Sequence, residues 1–146
     1  MCIRDREPCV IPALGHSNFK IEDGTMEFGV GHHGEAGTKV EKLKSASEMA
    51  QEMAETILND FDFEEGKEVA VMLSGLGATP VMELYVLYDE VEKVLAKAGH
   101  KVWKTYIGNY VTSLDMNGAS LTIVDLDDEI KELLSEPAVP IGMKNY

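Results

Sequence analysis

The apolar run Val69-Ala70-Val71-Met72, set in a segment from Lys67 to Leu73, restricts the fold more than any other stretch. A strand with one face in water alternates apolar and polar residues, so an unbroken run points to both faces being covered, at least locally. Gly75-Leu76-Gly77-Ala78 then turns the chain, and Thr79-Pro80 reads as a helix start, with Thr79 as N-cap and Pro80 in the first helical position. The helix extends to about Ala98, carries Leu84, Leu87, Val91, Val94 and Leu95 on one stripe, and ends at Gly99. A buried strand followed by an amphipathic helix is the unit from which a covered sheet is built.

Similar signals place the other elements. Ser45 with Glu48 forms a capping box, and Met49, Ala50, Met53, Ile57 and Leu58 recur at helical spacing as far as Phe61. Val102 to Thr112 and Ser120 to Asp125 read as two strands joined through Asn117-Gly118, a turn signal that favours a hairpin. Asp125 or Asp127 caps a short helix reaching Leu134, and Glu136-Pro137 to Tyr146 reads as an irregular tail. Strands separated by helices, plus one hairpin, predict an α/β chain with a mixed sheet.

Length and 45% hydrophobic content suit one domain with a core of its own. A formal net charge of -13 repels phosphates, which argues against a nucleic-acid or anionic-membrane partner. No apolar run approaches bilayer length and no signal-peptide pattern appears. Cys2 and Cys9 lack metal-ligand spacing, so a reducing cytoplasm is the simpler expectation.

The chemistry is concentrated in Gly29-Val30-Gly31-His32-His33-Gly34-Glu35-Ala36-Gly37, which sets two imidazoles and a carboxylate among glycines. Upstream, Met26-Glu27-Phe28 alternates as a strand does, so the histidines fall where a strand runs out into a turn. A neutral imidazole can attack a carbonyl, bind a metal or move a proton, and the loop alone does not choose among these. A metal site from His32, His33 and Glu35 would need a further ligand from elsewhere, because adjacent side chains of an extended segment diverge. The plainest reading is a solvated glycine-rich turn.

Phe19-Lys20-Ile21-Glu22-Asp23-Gly24-Thr25-Met26-Glu27-Phe28, the glycine-histidine loop, Lys42-Leu43-Lys44-Ser45-Ala46, Ser74 to Tyr85 and Tyr106 to Met116 occur in one order. In that order they resemble the C-terminal half of the dihydroxyacetone kinase K subunit, from about Phe19 to about Leu134. The resemblance implies a two-layer domain with helices mainly on one side of the sheet. It also implies a histidine that forms a reversible hemiaminal with the keto carbon of a short-chain ketose; the Gly-x-His-Gly-Glu register makes this His33. His32 and Ala36 stand where the family usually has an apolar residue and often a proline.

Gly31, Gly34 and Glu35 are the supporting residues in the loop, with Glu35 a candidate to hold the imidazole tautomer by its spacing. Gly75, Gly77 and Thr79 are further candidates, because the resemblance places their turn near the ketose end. Amides at a helix start attract anions, but this segment lacks the Gly-Lys-Ser/Thr ending of a nucleotide loop. Trp103, Tyr106 and Tyr110 read as packing residues of a half-buried strand. The opening Met1-Cys2-Ile3-Arg4-Asp5-Arg6 has no counterpart in the family pattern. The expected division is therefore a non-native or linker segment over residues 1–8, a domain over 9–136 and a tail over 137–146.

The expected function is that of a glycerone (dihydroxyacetone) kinase fragment, inactive alone. It would bind the ketose for phosphorylation by a nucleotide- or phosphocarrier-linked partner, with ATP or ADP and magnesium on a separate domain or subunit, while this chain binds no cofactor and no metal. Expected partners are a nucleotide-binding kinase subunit, the missing N-terminal half and a second copy in a homodimer, with no nucleic acid and no membrane. The alternative is a non-catalytic ligand-binding or regulatory module of DegV-like architecture.

Overall fold

In a computed structural model, described over residues 1–5, 10–17, 19–32, 35–64 and 66–145, the unbroken apolar run lies inside a mixed six-stranded sheet. In chain order the elements are β1 (Cys2–Asp5), β2 (Val10–Ile11), β3 (His16–Ser17), β4 (Thr25–Phe28), β5 (Lys39–Lys42), α1 (Ala46–Asp60), β6 (Glu68–Gly75), α2 (Val81–Lys97), β7 (Lys101–Gly108), β8 (Gly118–Asp125) and α3 (Asp128–Ser135). The strand order is β5-β4-β1-β8-β6-β7, with β2 and β3 forming a separate small ladder. Only β6 and β7 run parallel, as the crossover through α2 requires; the other neighbours are antiparallel.

The expected α/β mixed sheet is therefore the observed one, and its helices follow from their sequence signals. Ser45 accepts from the Glu48 amide while the Glu48 side chain returns to Ser45, which starts α1 at Ala46. Leu84, Leu87, Val91 and Leu95 are buried along α2, and Gly99 beyond its end has φ +87°, a conformation glycine adopts without steric cost. Asp127 accepts from the Ile130 amide and caps α3. The core joins Ala50, Met53 and Ala54 of α1 and the α2 stripe to Ile3, Met26, Phe28, Val69, Val71, Leu73, Ala119 and Leu121 of the sheet. These strand residues alternate, so α1 and α2 cover one face, while Cys2, Ser74 and Ser120 point to the other.

Three expectations are corrected. Residues 1–8 are expected to lie outside the domain, yet Cys2–Asp5 is a central strand between β4 and β8, with Cys2 and Ile3 buried. The β7–β8 hairpin does not form, because β6 separates the two strands and residues 109–117 cross over its end. Gly118 serves a close approach instead: a Cβ there would lie 2.8 Å from Arg4 Cα, against the backbone of β1. Finally, Thr79 is not the N-cap of α2. Pro80 is, and its carbonyl accepts from the Glu83 amide at 2.9 Å.

The Thr79 hydroxyl is instead drawn to the start of β8. It accepts from the Gly118 amide at 2.8 Å and lies 2.7 Å from the Gly118 carbonyl and 2.9 Å from Asn117 Oδ1. Thr79→Val keeps the shape and strands the buried Gly118 amide, so we expect a loss of about 1–3 kcal/mol in urea unfolding. A loss no larger than that of an exposed substitution would show that this hydroxyl does not tie the turn to the sheet. The described part of the tail forms no helix or strand but is fastened down: Asn145 is buried, pairs with Ala138 and donates to the carbonyls of Leu134 and Glu136, both at 2.7 Å.

Candidate functional site

The glycine-histidine loop leaves β4 and returns to β5 through a closed neck. Gly29 donates to the Cys2 carbonyl at 2.8 Å, Thr38 donates to the Phe28 carbonyl at 2.7 Å, and Gly37 donates to Glu27 Oε1 at 2.7 Å. Gly29 sits at φ +76°, and a Cβ there would lie 2.7 Å from Thr38 Oγ1, so the neck needs glycine. Glu27 also ties the neck to β1, because its Oε2 accepts from Arg4 at 2.6 and 2.8 Å. Burial pushes the Glu27 carboxyl up, but the Arg4 hydrogen bond, the Gly37 amide and the Arg4 charge outweigh it and hold the group below its ordinary value.

Within the loop, the Gly31 amide donates to the Glu35 carbonyl at 3.1 Å. A Cβ on Gly31 would run into the Glu35 side chain, so the glycine lets that carboxylate fold over the turn. His32 is exposed and lies in the turn, as its position after β4 predicts. His33 and Gly34 lie outside the described residues, and with them the proposed relation of Glu35 to His33.

Val30, Gly31 and His32 form one side of a cleft of about 280 Å³. Leu76, Thr112, Ser113 and Met116 line it from the ends of β6 and β7, and Cys2 and Phe19 also border it. Because Cys2 points away from α1 and α2, the cleft opens on the sheet face those helices leave free. It lies beyond the carboxyl ends of the parallel pair β6 and β7, where loops rather than strands shape a surface.

The other candidate residues divide. Gly31 borders the cleft directly. Gly75 and Gly77 do not border it; they let the 109–117 loop pass close over the end of β6, since a Cβ on Gly75 would lie 2.5 Å from Asn109 Oδ1, and one on Gly77, at φ +114°, would lie 2.6 Å from the Leu114 carbonyl. Thr79 does not reach the cleft. It borders a separate, more apolar cavity of about 220 Å³ between the sheet and the first turns of α1 and α2, together with Met26, Met49, Leu84 and Asn117. Glu83 also lines that cavity, which places an acidic side chain at the α2 amino end. The segment is thus a strand-to-helix connection with an acidic mouth, poorly suited to phosphate.

Tyr106 and Tyr110 meet edge to face with centroids 6.3 Å apart, and Lys104 lies 5.7 Å from the Trp103 and Tyr106 ring centres. None of the three aromatic residues borders the cleft, in keeping with their reading as packing residues. Thr112, Ser113 and Met116 were not singled out from the sequence, although they belong to a motif that carried the resemblance. The one available signal was a run of hydroxyl residues just past an apolar strand. Among the described residues no group of three His, Cys, Asp or Glu side chains comes together as a metal site, and no helix is long and apolar enough to cross a membrane.

Known proteins carry the same pattern. The family model of the Dak1 domain matches residues 5–141. The dihydroxyacetone-binding subunit DhaK of a PTS-dependent dihydroxyacetone kinase from Listeria innocua is 43% identical over 122 residues, covering 84% of this chain and 37% of its own. A D-erythrulose kinase from Mycolicibacterium smegmatis is 38% identical over 130 residues, covering 89% of this chain and 22% of its own. The solved structure of a dihydroxyacetone kinase operon co-activator superposes with a TM-score of 0.84 at 29% identity, over 93% of this chain and 42% of that one. The chain thus spans little more than a third of the length of the first curated relatives it matches, at 37%, 38% and 36%. With the match extending over nearly all of its sheet and helices, the chain belongs to the Dak1 domain family.

Proposed function

We propose that this chain is the ketose-binding, C-terminal part of a dihydroxyacetone kinase K subunit, with His33 as the residue that captures the substrate. The observation that carries the reading is the juxtaposition of the Gly31-His32 turn with a cleft of about 280 Å³ inside a matched Dak1 domain. A relative named for dihydroxyacetone binding and another named for erythrulose support a short ketose as the ligand class.

In the proposed step, an unprotonated ring nitrogen of His33 adds to the keto carbon. A C–N bond forms, the carbonyl π pair moves to oxygen, and the proton that oxygen takes up is balanced by the one leaving the other ring nitrogen. Nothing is expelled and nothing is oxidised. The tether holds a terminal hydroxyl in place for phosphorylation, which is catalysis by positioning, and a simple polyol with no carbonyl is not held.

On this reading ATP or ADP with magnesium is bound by another domain or subunit, as the family resemblance implies, and supplies the phosphoryl group, so that this chain alone does not turn over. The matched co-activator favours one second reading, a regulatory module that binds its ligand without turnover. We further expect a cytoplasmic protein and a homodimer in the assembled state.

The test is to incubate the chain with dihydroxyacetone and record its intact mass under native conditions, with glycerol and a fatty acid in parallel. An increment of one ketose without loss of water is expected, with none from glycerol. Binding of the fatty acid and not the ketose would replace the reading with the DegV-like alternative.

A further inference from the structure

The loop that forms the far wall of the cleft is held by hydrogen bonds rather than by apolar contact: two serine hydroxyls act beside a short backbone bridge, in which the Met116 amide donates to the Leu76 carbonyl at 3.2 Å and the Ala78 amide to the Met116 carbonyl at 3.1 Å. Val111 and Leu114 are 42% and 66% exposed, and Thr112 and Asp115 are exposed as well, so little buried surface fixes residues 111–115. At its root the fully buried Ser74 Oγ accepts from the amides of Tyr110 and Val111, both at 3.0 Å. At its middle the Ser113 hydroxyl donates to the Leu76 carbonyl at 2.6 Å and accepts from the Met116 amide at 3.2 Å. Leu76 is itself fixed to the sheet through its amide, which donates to the Gly118 carbonyl at 3.1 Å.

We propose that Ser113 is a positioning residue for ketose capture: its hydroxyl clasps the 109–117 loop to the end of β6 and so sets the cleft wall that Thr112 and Met116 present opposite the Gly31-His32 turn. The inference rests on the ketose reading of the cleft. Loops with few buried contacts open at low cost, and a reacting centre displaced by about an ångström loses much of the advantage of being held. Ser113 is well suited to this part because it borders the cleft with its hydroxyl already engaged by the Leu76 carbonyl.

The test compares the wild-type chain with Ser113→Ala and Ser113→Thr, titrating each with dihydroxyacetone labelled at the keto carbon and following its conversion from carbonyl to tetrahedral carbon by NMR. Ser113→Ala should raise the half-saturating ketose concentration on the order of tenfold, at a temperature well below unfolding, and Ser113→Thr, which keeps the hydroxyl, should restore it. A merely structural serine would lower the melting temperature and leave half-saturation unchanged, and that result overturns the proposal. Loss in both variants would also overturn it, because the hydroxyl would not be the agent. As a measurement independent of any variant, saturating ketose should slow amide exchange across residues 111–116 of the wild type, and unchanged exchange counts against the clasp. If the wild-type chain forms no tetrahedral carbon at all, the ketose reading itself fails and this role with it. An adduct unaffected by Ser113→Ala removes only the positioning role.

Discussion

Replacing His33 with alanine is expected to leave the chain unable to trap dihydroxyacetone, so that the mass increment of one ketose disappears. Alanine offers no lone pair, and hemiaminal formation has no substitute nucleophile in this register. His32→Ala should retain most of the adduct, because the Gly-x-His-Gly-Glu register assigns capture to His33, while His32, exposed in the turn beside the cleft, stands where the family usually has an apolar residue. Trapping should also weaken as pH falls through the ordinary imidazole range, near ~6.5, because a protonated ring cannot attack. Intact-mass measurements on both variants, repeated across pH, decide the matter. A His33→Ala chain that still carried the ketose, or a His32→Ala chain that lost it entirely, would mean that the nucleophile has been placed on the wrong residue.

What could be read from the sequence is what local physics determines. The α2 stripe from Leu84 to Leu95 and the Ser45–Glu48 box were legible because helical periodicity and capping are properties of neighbouring residues. The position of β1 was not. Its four residues, Cys2–Asp5, show no strand signal of their own, and they become a strand only by pairing with Phe28 to Met26 on one side and Ser120 to Gly118 on the other. The same limit explains Gly118, whose pairing with Asn117 imitates a hairpin turn although the glycine is needed for close approach to another strand. Thr79 before Pro80 has two uses that look alike in sequence, a helix cap or a tie to a distant amide, and a partner 39 residues away chose the second.

The candidate site divides along the same line. The glycine-histidine turn was legible because glycines and imidazoles advertise themselves, whereas the opposite wall was not. Ser113 acquires its role through Leu76, 37 residues earlier, and no local pattern announces such a contact.

The largest expected effect on stability is at Leu84, which is fully buried on α2 between the sheet and α1. Its Cδ1 would lie 3.2 Å from a Cβ built on Gly75, so it fills the space that the glycine leaves above β6. It also walls the apolar cavity of about 220 Å³ that opens past Glu83 and Val86. Leu84→Ala would extend that cavity toward the core, and water entering it would find Met26, Met49 and Ala119 rather than hydrogen-bond partners. Neither the helix nor the sheet can close the gap without disturbing the remaining stripe, so the cost should fall in the upper part of the ~2–5 kcal/mol range for such truncations. Set against the ~5–15 kcal/mol that holds a typical domain together, that is a large share of the total. Val86→Ala, on the same helix and 56% exposed, should cost less than about 0.5 kcal/mol. Urea unfolding of the two variants beside the wild type measures both. If Leu84→Ala cost no more than Val86→Ala, α2 would not be seated on the sheet through this side chain, and the arrangement that places the 75–79 turn beside the cleft would need another explanation.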